Sequence, residues 1–162
     1  MTAPTFAPAD ASGVPLFAVT KSGLDGWLAG QEARVRTWAE ATGFDGGAGR
    51  VLVVPDASGR ITMAVAGLGS PRDAARERFV FAKARAALPA GVYRLMPGLA
   101  GRDLEEAALG WLLAGYRFGR YARAAPPKAD LVAPEGVDAA RLEAIAAGEA
   151  LMSYIINTPG LV

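Results

Sequence analysis

The chain has no cysteine and no histidine. Without cysteine there is no disulfide, no thiolate metal site and no thiol nucleophile. Without histidine the usual general base is missing, as are the commonest metal ligand and every triad built on an imidazole. The serines therefore have no His partner, and no Gly-x-Ser-x-Gly elbow is present. Excess charge is lacking too. Lys and Arg number 17 against 16 Asp and Glu, so no large global field draws nucleic acid. The longest uncharged apolar-rich run, Ala107 to Tyr116, falls well short of the ~20 residues needed to cross a bilayer, and no membrane partner is expected. The first basic residue is Lys21, so the basic n-region of a signal peptide is lacking. With the absence of cysteine, this gives the expectation of a cytoplasmic protein.

What is present fits one globular domain. A chain of 162 residues that is 52% hydrophobic and 20% charged has room for a sizeable core. Residues 1–13, rich in Ala, Pro, Thr and Ser, read as a flexible leader. Val14 to Thr20 is a short apolar strand. Ser22-x-x-Asp25 has the form of a helix cap, and the spacing of Trp27, Leu28, Val35 and Trp38 predicts one helix to about Ala41, stopped by Gly43. Asp45 to Gly49 is a loop by composition. Arg50–Pro55 and Arg60–Ala66, separated by Asp56-Ala57-Ser58-Gly59, read as a β-hairpin. Ser70-Pro71-Arg72-Asp73 opens a further helix with a cap, Pro at N1 and an acid at N3. That helix is expected to run to about Leu88, with Phe79, Val80 and Phe81 on its apolar surface.

Three further elements follow: a strand over 91–97, a helix from about Asp103 to Tyr121, and a strand over 129–134. Asp138 then caps a last helix. The order strand, helix, hairpin, helix, strand, helix, strand, helix predicts an α/β fold. It is a single three-layer domain in which a mixed, mostly parallel sheet carries helices on both faces.

Chemistry-bearing patterns are few. Gly67-x-Gly69 before a helix has the form of a phosphate cradle. The Rossmann pattern needs a third Gly at position 72, where Arg72 stands, so a tight strand-to-helix turn is the plainer reading. Tyr116, Arg117, Phe118, Arg120, Tyr121 and Arg123 mix aromatics with positive charge, as single-strand binders do. The same residues equally suit a helix whose basic last turn complements its dipole. Glu105 and Glu106 are adjacent and diverge on a helix, so they do not form an acid–base pair. The last helix carries the candidate interface. Leu142, Ile145, Leu151, Met152, Ile155 and Ile156 form a stripe wide for a helix touching one small sheet. Two roles are open for it: covering the domain's own core, or docking a partner.

Three stretches also carry a family resemblance: Val65-Ala66-Gly67-Leu68-Gly69, Leu109 to Tyr121, and Ala146 to Pro159 with Asn157-Thr158-Pro159 at its end. In order and separation they resemble the N-terminal domain of the leucine aminopeptidases (the cytosol aminopeptidase family). There a helix leads through an Asn-Thr-Pro turn into the catalytic domain. Where that family has Arg-Asp before the turn, this chain has Ser153-Tyr154.

The resemblance implies a macro-domain-like fold over 14–136, then a linker helix and junction over 137–162. It implies a non-catalytic domain of a metallopeptidase that removes N-terminal amino acids from peptides, with a role in assembly and positioning. Two divalent metals such as Zn or Mn would belong to the catalytic domain, so no catalytic, metal or cofactor residue is carried over to this chain. The partners implied are that catalytic domain or another copy of this chain in a homo-oligomer. Nucleic acid is a less favoured partner, known for some bacterial members. The alternative implied by the fold is a module binding a nucleotide or ADP-ribose-type ligand at the loops around Gly47 and Gly67.

Overall fold

The computed structural model describes residues 3–76, 80–121 and 128–157 of the chain. Five strands, β1 (Val14–Thr20), β2 (Val51–Pro55), β3 (Ile61–Gly69), β4 (Gly91–Leu95) and β5 (Ala129–Leu131), form one sheet in the order β2-β3-β1-β4-β5. β1 runs parallel to both β3 and β4, and β4 runs parallel to β5. The hairpin supplies the antiparallel pair, β2 with β3. Its turn is closed by Asp56, whose Oδ1 accepts the Ser58 amide at 2.8 Å and the Arg60 amide at 3.0 Å.

Alternation along the strands sorts side chains into two cores. Leu16, Ala64, Ala66, Tyr93 and Leu131 face one side and meet Phe81 and Ala84 of α4 (Val80–Ala87), Leu88 just after it, and Trp111 of α5 (Gly101–Tyr121). Val19, Leu52, Val54 and Val65 face the other. They meet Leu24 of α1 (Leu24–Ala29) and Val35 and Ala39 of α2 (Ala33–Thr42). This is the three-layer α/β arrangement with helices on both faces that the alternation of elements predicts. α6 (Ala139–Asn157) adds to it from outside, seated on α5 through Ala108, Leu112, Leu142 and Ala146.

Four expectations from sequence are corrected. The single helix over 24–41 is two helices, broken where Gly30 ends α1 and Glu32 adopts an extended conformation (φ −61°, ψ 152°). Gly26 and Gly30 weaken a continuous helix, and the break lets Trp27 pack on Phe17 with ring centroids 5.4 Å apart. Ser22 does not cap α1; the Gly23 amide donates instead to Thr20 Oγ1 at 3.0 Å. β5 stops at Leu131 rather than running to Pro134, whose nitrogen has no hydrogen to donate to a ladder.

The fourth correction concerns residues 1–13, of which 3–13 are described. They do not read as a loose leader: Ala7 bridges Val132, and its amide donates to Leu131 O at 2.8 Å. The caps at Gly43 (φ 70°), Ser70–Asp73 and Asp138 form as expected. α3 (Pro71–Arg76) starts the helix expected to reach Leu88. Residues 77–79, Phe79 among them, lie outside the described residues.

Two close approaches hold this frame. Gly67 lies against the 46–49 loop: its amide donates to Arg50 O at 2.7 Å, and its carbonyl accepts from the Gly49 amide at 3.0 Å. A Cβ on Gly67 would sit 2.1 Å from Gly47 O. The second is Arg85, 8% exposed. Its Nε donates to Ala129 O at 2.9 Å and its Nη1 to Trp111 O at 2.7 Å. The guanidinium also lies 5.4 Å from the Trp111 ring centroid and 3.7 Å from Asp130. Burial pushes its pKa down, and Asp130 works against that shift.

Gly67→Ala is expected to lower the unfolding free energy by about 3 kcal/mol, because backbone rather than a flexible side chain must yield. Gly26→Ala, in open space on α1, should raise it by about 0.5 kcal/mol. Urea denaturation of both variants checks the pair. Arg85→Met should cost roughly 2 kcal/mol through its two lost carbonyl partners. Asp130→Asn, at the half-exposed end of the ion pair, should cost under about 0.5 kcal/mol in the same assay.

Candidate functional site

The carboxyl ends of the parallel strands, Thr20, Gly69, Leu95 and Leu131, share one edge of the sheet. β1 connects onward to the β2–β3 side and β4 lies on its other flank, so the chain switches direction beside β1. Open α/β sheets hold ligands at such a point. A cavity of about 300 Å³ opens there. Its lining combines apolar side chains, Leu68, Phe81 and Leu99, with the polar Ser70, Asp103 and Glu106.

The glycine loops beside this cavity are already bonded within themselves. The Gly69 amide donates to Gly46 O at 2.9 Å, and the Gly47 amide to Asp45 Oδ1 at 2.9 Å. At the start of α3 the Ser70 amide donates to Asp73 Oδ2 at 2.8 Å. A carboxylate of the chain thus takes the place an anion would occupy. The Gly47 hydrogen bond, with Arg50 and Lys21 nearby, holds the Asp45 carboxyl below its ordinary value despite some desolvation. The Ser70 amide and hydroxyl do the same for Asp73. Amides donated inward, Asp45 and Asp73 in the loops, and Asp103 and Glu106 in the lining make a poor cradle for phosphate. The glycines at 67 and 69 serve close backbone packing instead.

The last helix presents the other surface. Its apolar residues divide between two sides. Leu142, 2% exposed, lies in one line with Ala146 and Ala150, and all three are buried. Leu142 therefore belongs to the chain's own core rather than to an interface, because α5 offers Ala108 and Leu112 to receive it. Ile145 (38% exposed), Leu151, Met152, Ile155 and Ile156 (71%) all remain open to solvent. Of the stripe read from the sequence, one side is covered by α5 and the other is left in water. Asn157 is the last residue of α6, while Thr158 and Pro159 lie outside the described residues. Tyr116 to Tyr121 form the end of α5, but Arg123 and the side chains of 116–121 lie outside what is described.

Among the described residues, no three His, Cys, Asp or Glu come together to hold a metal ion. Also among them, no helix is long and apolar enough to cross a membrane. Sequence reasoning missed the strand-end cavity, Arg85 and the docking of residues 6–11. Only Arg85 left a signal: it sits four residues after Phe81 and three before Leu88, a core position filled by a charge.

Comparison with known proteins agrees with this geometry. Residues 14–134 match the family described as the M17 aminopeptidase, N-terminal domain. The fold is similar to a cytosol aminopeptidase from Coxiella burnetii, with a TM-score of 0.76 and 26% identity over 94% of this chain. It is also similar to the bottromycin maturation enzyme BotP (TM-score 0.60, 24% identity, 91% of this chain) and to a tomato leucine aminopeptidase mutant (0.54, 18%, 96%). The chain spans only 33% of the first two of those structures and 37% of the third. No curated protein sequence matches it. With the family match covering most of its length, the chain belongs to the M17 aminopeptidase N-terminal domain family.

Proposed function

We propose that this chain is a non-catalytic domain that positions and assembles a leucine aminopeptidase-type metallopeptidase, docking the catalytic domain through α6. The observation that carries the proposal is the unburied end of that helix. Leu151, Met152, Ile155 and Ile156 are exposed directly after the buried Ala150. Each large aliphatic that a partner covers fully contributes roughly 1.5–3 kcal/mol, so three or four of them are enough to hold an interface. The family match ends at 134, so α6 lies beyond the matched domain and is suited to joining it to something else.

The chemistry then lies with the partner. Removal of N-terminal residues from peptides by two divalent metals, Zn or Mn, needs a cluster of oxygen ligands that the described part of this chain does not provide. In the absence of the catalytic domain, the same α6 face pairs two copies of this chain, which fits a homo-oligomer. A cytoplasmic setting goes with this reading. Recognition of a nucleotide or ADP-ribose-type ligand is the weaker alternative, because the loops at Gly47 and Gly67 already use their amides internally.

Two outcomes follow from this reading. The purified 162-residue chain should not hydrolyse leucine p-nitroanilide with Zn or Mn added; metal-dependent turnover would sink the non-catalytic assignment. In sedimentation at high concentration the chain should self-associate, and Ile155→Asp with Ile156→Asp should shift it to monomer by roughly tenfold or more in association constant. A concentration-independent monomer, or an oligomer indifferent to both substitutions, overturns the role given to this face.

A further inference from the structure

α6 touches the body of the domain through a narrow seat. Leu142 and Ala146 pack on Ala108 and Leu112, and Arg141 Nη1 pairs with Glu105 Oε1 at 3.2 Å on the surface. A second brace comes from the opposite end of the sequence. The Phe6 amide donates to Glu143 Oε1 on α6 at 3.0 Å, across 137 residues of chain. The Phe6 ring packs against both the main core and the α5–α6 cluster.

One residue later the Ala7 amide is bound to Leu131 O, beside the exposed edge of β5. The segment then crosses to β4. There Arg94 takes it with three hydrogen bonds, Nη2 to Ala9 O and Ala11 O at 2.7 Å each and Nε to Ala11 O at 3.1 Å. Gly13 completes the crossing, because a Cβ there would lie 2.6 Å from the Arg94 stem. Residues 6–11 thus run from α6, past the sheet edge, to one arginine on the far side.

We infer that this segment is a clasp that sets the seat of α6, anchored at Arg94 and closed at Phe6. Only its Phe6 end reaches the core, and each of its anchors is slight. Among the described residues Arg94 holds the segment by main-chain carbonyls, the Ala7 contact is a single bridge, and Phe6 is partly buried. Releasing either end leaves the sheet intact and frees one side of α6. Local openings of this kind occur without global unfolding where a few contacts hold an element. Residues far from the docking face thereby control how that face is presented. That consequence rests on the docking role proposed above; the clasp itself does not.

Amide hydrogen exchange on the 162-residue chain tests the clasp, run at a dilution where the chain is monomeric so that docking plays no part. Phe6→Ala should speed exchange of the amides over 139–150 by roughly tenfold, and Phe6→Leu should restore most of the protection. Arg94→Met should act in the same direction by about threefold, although the hydrogen bonds it loses go to residues 9 and 11 rather than to α6. The amides of α2 and β1 should keep their wild-type rates in all three variants. Unchanged exchange over 139–150 in Phe6→Ala and Arg94→Met overturns the clasp, as does a rise that β1 and α2 share equally. Loss of self-association in the Ile155 and Ile156 variants with α6 exchange unaltered speaks only to docking, so the two ideas fail separately.

Discussion

The buried guanidinium of Arg85 is the constraint on which the arrangement of the helices rests. It lies among apolar side chains, where an uncompensated charge is costly, and it must therefore find fixed partners. It finds two main-chain carbonyls from different elements, Trp111 O on α5 and Ala129 O on β5, and the face of the Trp111 ring. α4, α5 and β5 are thereby held at one relative setting. Gly115 keeps the approach open, since a Cβ there would come within 3.0 Å of Nη1. The half-exposed Asp130 adds little by comparison. Because α5 is the platform for α6, the setting of Arg85 is passed on to the last helix.

A sheet of five strands has two edges, and both are covered by means other than another strand. On β2 the outward carbonyl of Val53 accepts from Trp38 Nε1 at 2.8 Å, and that of Pro55 accepts from Arg34. On β5 the Ala7 bridge takes the open side. Covered edges discourage strand-to-strand association. Among the described residues, the large exposed apolar side chains are gathered on the second half of α6 instead, with Trp38 and Ile145 apart from them. At the strand ends, charge runs against the anion binding that the glycine pattern suggests. Asp45 and Asp73 cap the loops from within, so the sequence Gly67-Leu68-Gly69 reports backbone proximity rather than a ligand.

Much of this was legible in the order of residues because the causes are local. The hairpin follows from two β-branched runs around Asp56 to Gly59, and the Ser70–Asp73 and Asp138 caps from side chains within three residues of the amides they accept. The alternation of strands and helices leaves few sheet topologies, so the mixed sheet with one antiparallel pair was within reach of the sequence. The break between α1 and α2 was less accessible. A 3.6-residue stripe continues across Gly30, and only the packing of Trp27 on Phe17 shows why the chain turns there.

The sequence by itself determined the class of fold, most of the elements and the family, since these depend on periodicity, capping and motif order. Tertiary structure decided which residues of those elements are available to act. The stripe on α6 contains Leu142 and Ile156 alike, and periodicity places them on a helix without naming a neighbour. α5 buries the first and leaves the second in water. Phe6 and Glu143, or Arg85 and Ala129, meet across 137 and 44 residues. No local pattern encodes such pairs, because they form only when the sheet has brought distant segments to the same place.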